Sequence, residues 1–111
     1  MSGFSERRCA PCSGNATAYS LEQAQLAVQK VSGWELVEDG KAIRRQFRFK
    51  DFYRTMSFVN ALAHIANIED HHPDLEVGYN YCRVRYSTHE VEGLSDNDFI
   101  CASKIDRLPL Q

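Results

Sequence analysis

The chain has 111 residues, of which 43% are hydrophobic and 25% charged, and this balance is typical of one globular domain with a single core. Its formal net charge of −2 gives no overall positive field for a phosphate backbone, so direct nucleic-acid binding is not expected. No apolar run approaches the ~20 residues of a membrane-spanning helix, and residues 1–8 lack the apolar stretch of a secretory signal. We therefore expect a cytoplasmic protein without membrane contact.

Residues 1–18 are rich in Ser, Gly, Pro and Arg and show no hydrophobic period, so they are predicted to form a flexible leader. A single domain is expected over residues 19–111. The leader contains a CxxC pair, Cys9 and Cys12, which can supply half of a zinc site or a redox dithiol. Because no second CxxC or CxxH accompanies it, we favour a loosely ordered tail with reduced thiols.

The domain is predicted to begin with a helix followed by a hairpin. Ser20 and Gln23 have the spacing of a capping box, an apolar helical period follows them, and Gly33 supplies the stop. Strand-like runs over residues 34–37 and 42–49 flank an Asp-Gly pair, which is typical of a tight hairpin.

The second half of the chain continues with a longer amphipathic helix that Asp51 is expected to cap. A strand over residues 79–88 alternates apolar with charged side chains, and a further short strand is expected near residues 90–92. Ser95 then opens a last helix, with Asp98 three positions later. This order predicts an α+β fold in which helices cover one face of an antiparallel sheet. Neither a G-x-G-x-x-G nor a Walker pattern is present, so no nucleotide cofactor is expected.

Three of the four histidines fall in two short segments. His71 and His72 precede Pro73 at the predicted exit of the long helix, and His89 ends the following strand. A residue before proline is pushed toward extended backbone, so the imidazoles of His71 and His72 should diverge. Imidazole titrates near neutral pH and acts as acid, base or metal ligand, which makes this cluster the candidate for chemistry.

The residues alone leave three interpretations of this histidine trio open. In the first, the trio and Asp70 hold Zn²⁺, although adjacent histidines lack the H-x-H or H-x-x-x-H spacing that favours shared coordination. In the second, the trio only caps a helix and decorates a loop, and the fourth histidine, His64, is likewise expected to face solvent or an interface. In the third, the trio surrounds a heterocycle and moves protons.

Further short motifs accompany the histidines in a fixed order along the chain. They are Gly33-Trp34, Phe47-Arg48-Phe49-Lys50-Asp51-Phe52, Asp70-His71-His72-Pro73, Tyr79-Asn80, Ser87-Thr88-His89-Glu90, Gly93-Leu94-Ser95 and Asp98. In this order they resemble the pterin-4a-carbinolamine dehydratase family. The resemblance covers about residues 20–108 in one register without a large gap, so it is more specific than any single motif.

The resemblance implies a four-stranded antiparallel sheet with three helices packed on one face. It implies dehydration of 4a-hydroxytetrahydrobiopterin, or a related 4a-hydroxytetrahydropterin, to quinonoid dihydropterin, in the recycling of tetrahydrobiopterin after an aromatic amino-acid hydroxylase. It further implies that no cofactor and no metal are needed, and that the protein is a homodimer or homotetramer.

The family's catalytic histidines fall on His71, His72 and His89. We expect His72 and His89 to flank the leaving hydroxyl and His71 to orient or deprotonate the pterin, by general acid-base catalysis. The sequence departs from the animal-type pattern at Asn67 and Leu75, where a glutamate and an aromatic residue are usual, so contacts at the pocket rim are expected to differ from that pattern. The residues expected to bind substrate are Asp70, Pro73, Ser87, Thr88 and Asp98.

Animal members of the family also serve as a dimerisation cofactor of a homeodomain transcription factor. The sequence offers no independent support for that role. We therefore rank an enzyme first, a protein-binding scaffold second, and an inactive or repurposed homologue third.

Overall fold

A computed structural model of the protein describes residues 3–11 and 17–109. The helices are α1 (Leu21–Val28), α2 (Phe52–Glu69) and α3 (Asp96–Asp106), and the strands are β1 (Glu35–Val37), β2 (Ala42–Arg48), β3 (Asp74–Val77) and β4 (Tyr81–Tyr86). The strands form one sheet in the order β1-β2-β4-β3, and every neighbouring pair is antiparallel. This confirms the predicted α+β fold with a four-stranded antiparallel sheet.

The two faces of the sheet differ because side chains alternate along β2 and β4. On one face, Ile43 lies opposite Tyr86 and Phe47 opposite Cys82, and these residues join the core with residues of all three helices. On the other face, arginines of β2 and β4 form ion pairs at the surface, such as Arg44 with Glu35 at 2.7 Å. The helices therefore cover one face, as predicted.

The predicted helix starts are confirmed by their capping contacts. Ser20 and Gln23 form a reciprocal capping box at α1, Ser95 and Asp98 form another at α3, and Asp51 accepts a backbone N–H in the first turn of α2. The longest helix, α2, has 18 residues, and within the described part of the chain no helix is long and apolar enough to cross a membrane.

The prediction of a short strand near residues 90–92 is wrong. His89–Val91 is instead a 3-10 turn, enclosed by a bridge between Thr88 and Gly93. The fourth strand is β3, which lies at the sheet edge beside β4. Its four residues are all exposed, so they carry no buried face from which a strand could be predicted.

The described part of the predicted leader packs against the domain. A 3-10 turn, Phe4–Glu6, places the ring of Phe4 on Phe99 of α3, with 5.7 Å between the ring centroids. Further along, the N–H of Cys9 donates to the Glu69 carboxylate at 2.8 Å. Polar composition predicts a flexible leader, but one aromatic ring and a few specific hydrogen bonds dock residues 3–11. Cys12, the second cysteine of the CxxC pair, lies outside the described residues.

Candidate active site

The end of α2 sets the directions of the two adjacent histidines. Asp70 adopts the left-handed conformation, with φ 52° and ψ 44°. Its N–H donates to the Asn67 carbonyl at 3.3 Å, and the N–H of His71 donates to the Ala66 carbonyl at 3.1 Å, which is the Schellman pattern of a helix end. The chain therefore turns sharply at Asp70, and His71 and His72 leave the helix in different environments, as the sequence predicts.

His71 lies in a nearly closed polar network. Its Nε2 is 2.7 Å from Asp98 Oδ1, its ring stacks on Tyr86 at 5.2 Å between centroids, and its side chain is 11% exposed. The buried Asp98 carboxylate also accepts the Thr88 hydroxyl at 2.7 Å and the Ser95 N–H at 2.9 Å. Asp98 is thus both the helix cap and the carboxylate that orients the imidazole.

Two opposing effects act on the proton affinity of His71. Burial by itself lowers the pKa of this imidazole, because the charged form loses hydration. The hydrogen bond that the imidazole donates to Asp98 and the negative charge of that carboxylate favour the protonated form, with smaller contributions from Cys101 and Glu90. The net result is a pKa above the ordinary 6.5, so His71 holds a proton more readily near neutral pH than a free imidazole does.

His72 and His89 face a different environment. Both are exposed and line one cavity of about 470 Å³ together with Ser87. The Nε2 of His72 lies 3.0 Å from the amide oxygen of Asn67, which helps to fix the ring. His89 opens the 3-10 turn, and its ring makes no hydrogen bond within residues 3–11 and 17–109. These two imidazoles are therefore the ones most available to a ligand.

Five charged side chains complete the lining of this cavity: Glu38, Lys41, Asp74, Arg85 and Glu92. Arg85 is held by two contacts to Glu38, at 2.5 and 2.6 Å, and one to Asp74 at 2.8 Å. Sequence reasoning missed these residues as part of the site. The available signal was the charged face of β4, which identifies Arg85 as lying outside the core.

His71 lines a second cavity, of about 330 Å³, with Asp70, Thr88, Glu90 and residues 9–11 of the N-terminal segment. Of these two cavities, His71 therefore lines one, and His72 and His89 line the other. Neighbouring residues in the segments 71–72 and 87–90 alternate between the two cavities, so these segments form a shared wall. The wall brings the trio into one region while separating His71 from the other two.

The residues expected to bind substrate are distributed unevenly over this region. Ser87 faces the cavity of His72 and His89, whereas Asp70 and Thr88 face that of His71, and Pro73 lines neither. The backbone of Thr88 is also engaged internally, because its N–H donates to the Gly93 carbonyl at 2.7 Å and its carbonyl accepts from Gly93 at 3.3 Å. Thr88 is thus placed to support Asp98 more than to meet a ligand.

The fourth histidine lies apart from both cavities. His64 is exposed on α2, where the sequence predicted a surface position. Among residues 3–11 and 17–109, no group of three or more His, Cys, Asp or Glu side chains is arranged to hold a metal ion.

Comparison with known proteins indicates the same family as the order of the sequence motifs does. Residues 17–108 match the sequence profile of the family described as pterin 4 alpha carbinolamine dehydratase. A relative from Legionella pneumophila (strain Corby) is 56% identical over 108 residues, covering 96% of each chain. A relative from Nitrosospira multiformis is 51% identical over 102 residues, covering 92% of this chain and 88% of its own. Both are provisionally named pterin-4-alpha-carbinolamine dehydratases.

Solved structures show the same architecture. A crystal structure described as a transcriptional coactivator/pterin dehydratase from Brucella melitensis is 31% identical, with a TM-score of 0.77, and covers 81% of this chain and 96% of its own. A pterin dehydratase-like protein, identified as a RuBisCO assembly factor in the alpha-carboxysome, is 19% identical with a TM-score of 0.59, and shares the fold. The profile match over almost the whole described domain and the identities above 50% show that the chain belongs to the pterin 4 alpha carbinolamine dehydratase family.

Proposed function

We propose that the chain is a 4a-hydroxytetrahydrobiopterin dehydratase, a hydro-lyase that converts 4a-hydroxytetrahydrobiopterin or a related 4a-hydroxytetrahydropterin to quinonoid dihydropterin. The observation that carries this proposal is the pair of exposed imidazoles, His72 and His89, on one cavity beside the Asp98-bound His71. The volume of about 470 Å³ lies in the range of small-molecule sites. Family membership supports the reaction class.

The reaction needs two proton transfers. The C4a–O bond breaks as the leaving oxygen receives a proton, and a ring nitrogen loses a proton so that its electron pair forms the new C=N bond. We place His72 and His89 on either side of the leaving hydroxyl, where one donates the proton to the oxygen and the other accepts the proton of the ring nitrogen, since both line the same cavity. General acid-base catalysis of this kind contributes ~10²–10⁴-fold, which suits a reaction that also proceeds slowly unaided.

His71 is assigned a supporting electrostatic role in the same proposal. Its raised pKa and its hydrogen bond to Asp98 favour a positive charge behind the wall that carries His72. That charge helps to orient the pterin and stabilises negative charge on the departing oxygen. Thr88 holds Asp98 in place, and the pterin's amide edge is assigned to the backbone of Ser87, on the open side of the wall.

The test is the initial rate of dehydration of chemically generated 4a-hydroxytetrahydropterin. His72→Ala and His89→Ala should each lower kcat/KM by at least about 100-fold, because each removes one proton-transfer group. His64→Ala is the matched control, since this histidine is also exposed but lies on α2 away from the cavity. Unchanged rates for His71→Ala, His72→Ala and His89→Ala would remove the proposed mechanism.

The proposal also covers the cellular location, the cofactor requirement and the oligomeric state of the enzyme. We infer a cytoplasmic enzyme that acts on the product of an aromatic amino-acid hydroxylase and needs neither metal nor organic cofactor. We also infer a homodimer or homotetramer without direct contact to nucleic acid or membrane. Size-exclusion chromatography with light scattering reports the oligomeric state, and an assay in metal-free buffer with a chelator reports the metal requirement.

A second candidate function is a protein-binding scaffold, such as a dimerisation cofactor of a transcription factor. One observation favours it: the 31% identical protein from Brucella melitensis is described as a transcriptional coactivator as well as a pterin dehydratase. The edge strand β3 and the following turn also expose apolar side chains, with Val77 40% and Tyr79 66% exposed. A pure scaffold would give no dehydration above the spontaneous rate, so the same assay separates the two candidates.

A further inference from the structure

The first cysteine of the CxxC pair has a thiol neighbour elsewhere in the chain. The Sγ of Cys9 lies 3.6 Å from the Sγ of Cys101 on α3, a residue 92 positions away. Cys101 is fully buried, whereas Cys9 is partly exposed and lines the smaller cavity. The pair therefore combines one accessible sulfur with one shielded sulfur.

Specific contacts on both sides of Cys9 hold this approach in place. The N–H of Cys9 donates to Glu69 at 2.8 Å, and Lys104 fixes the same carboxylate at 3.1 Å. The next residue, Ala10, is bound by its N–H to Asn97 Oδ1 at 3.1 Å and by its carbonyl to Asn97 Nδ2 at 2.7 Å. Three of these hydrogen bonds tie the segment to α2 and α3, and the Lys104–Glu69 contact joins the two helices, so the two sulfurs meet as part of the docked structure.

We propose that Cys9 and Cys101 form a reversible disulfide, with a low-molecular-weight disulfide such as oxidised glutathione as the oxidant. A disulfide needs a sulfur separation of about 2.05 Å, so the sulfurs must approach by about 1.5 Å from the observed 3.6 Å. Within residues 3–11, the segment that carries Cys9 contains one 3-10 turn and no regular helix or strand, and a small shift of that segment supplies the movement.

The exchange takes place in two balanced steps. The accessible Cys9 sulfur attacks the small disulfide, RSSR, as its proton passes to solvent, forming a Cys9–S–SR bond and releasing one RS⁻. The Cys101 thiolate then attacks Cys9 Sγ, which forms the protein disulfide and releases the second RS⁻. Two electrons pass from the two protein thiols to RSSR, and the two leaving thiolates take up the two thiol protons.

The environment of Cys101 suits the second step. In the reduced pair, a hydrogen bond from the Cys9 thiol is the main reason that the pKa of Cys101 lies below its ordinary value, and the same contact raises the pKa of Cys9. This contact ends once Cys9 carries the mixed disulfide, and the other neighbours of Cys101 remain. The hydroxyl of Tyr86 and the charge of His71 act in the same direction, while burial opposes them. A stabilised thiolate is the form that attacks a mixed disulfide.

The first test follows the full-length chain through a series of reduced-to-oxidised glutathione ratios. Intact mass should fall by about 2 Da, the mass of two hydrogens, and peptide mapping should find Cys9 joined to Cys101. Because the link closes a loop of about 92 residues, Tm should rise on the order of 10 °C on oxidation and return when dithiothreitol is added.

Three variants separate this pair from the CxxC pair. Cys12→Ser keeps both sulfurs and should still lose about 2 Da and gain Tm, whereas Cys9→Ser and Cys101→Ser should do neither. Cys9→Ser covers the case in which the buried Cys101→Ser variant does not fold. A Cys9–Cys12 link, a lasting glutathione adduct on Cys9 without closure, or a chain that stays reduced in oxidised glutathione alone would overturn the proposal. None of these readouts depends on dehydratase activity.

Discussion

His71 and His72 are neighbours in the sequence, yet the fold gives them opposite properties. His71 is 11% exposed, stacks on Tyr86 and binds the buried Asp98 at 2.7 Å. His72 is exposed on the wall of an open cavity, where the Asn67 amide orients it at 3.0 Å. The difference shows how one helix end produces two kinds of imidazole: one with a fixed position and a raised pKa, and one free to meet a ligand.

Rigidity on the buried side depends on complete hydrogen bonding. Asp98 serves His71, Thr88 and Ser95 at once, and within the described residues no buried side-chain nitrogen or oxygen lacks a partner. Such a network is costly to interrupt, because each group left without its partner remains buried and desolvated. The exposed side carries no such cost, so substitutions there should affect catalysis far more than stability.

The largest effect on stability is expected from Asp98→Ala. This change leaves the Thr88 hydroxyl, the Ser95 N–H and the His71 imidazole without their common acceptor, so the free energy of unfolding should fall by about 2–4 kcal/mol. Urea unfolding measures the change. Asp96→Ala is the matched control from the same first turn of α3, because Asp96 is half exposed and accepts hydrogen bonds from Arg7 and from the partly exposed Tyr19 hydroxyl. Equal losses for the two variants would contradict a special role of the buried network.

A smaller effect is expected in the pH dependence of stability. The pKa of His71 is raised by folding, so its stabilising contribution is fully present below the ordinary 6.5 and is lost as pH rises through the raised value. The difference in free energy of unfolding between wild type and His71→Gln should therefore be largest near pH 5.5 and shrink toward pH 9. Urea titrations at several pH values measure it.

The carboxylate that faces His71 supplies the control for this titration. Asp98→Asn should remove most of the pH dependence that His71 confers, since it removes the charge that favours the imidazolium. A His71 contribution that grows with rising pH would contradict the sign of the proposed coupling.

Sequence reasoning succeeded where the determinants are local. The capping pairs Ser20 with Gln23 and Ser95 with Asp98 depend on contacts three residues apart, and both form as predicted. It failed where contacts between distant parts of the chain determine the local structure. The exposed strand β3 is stabilised by pairing with β4. The described part of the leader packs on the domain because the ring of Phe4 stacks on Phe99, a residue far along the chain.

The candidate site illustrates both cases. The family resemblance identified the segments that the fold brings together, including the Asp98 that holds His71. It could not predict that His71 opens on one cavity and His72 and His89 on another. That division depends on the backbone of a single residue, Asp70, and aspartate tolerates the left-handed conformation without requiring it.

The smallest effect on stability should come from substitutions at Asp70, and these test most directly what separates His71 from His72. Asp70→Gly should raise the free energy of unfolding by about 0.5–1 kcal/mol, because glycine adopts the left-handed conformation without strain, and Asp70→Ala should lower it by a similar amount. Asp70→Asn keeps the tolerance and removes only the charge, so stability should stay within about 0.5 kcal/mol of wild type. Urea unfolding ranks the variants. If Asp70→Ala proved as stable as Asp70→Gly, the left-handed turn would not be what separates His71 from His72.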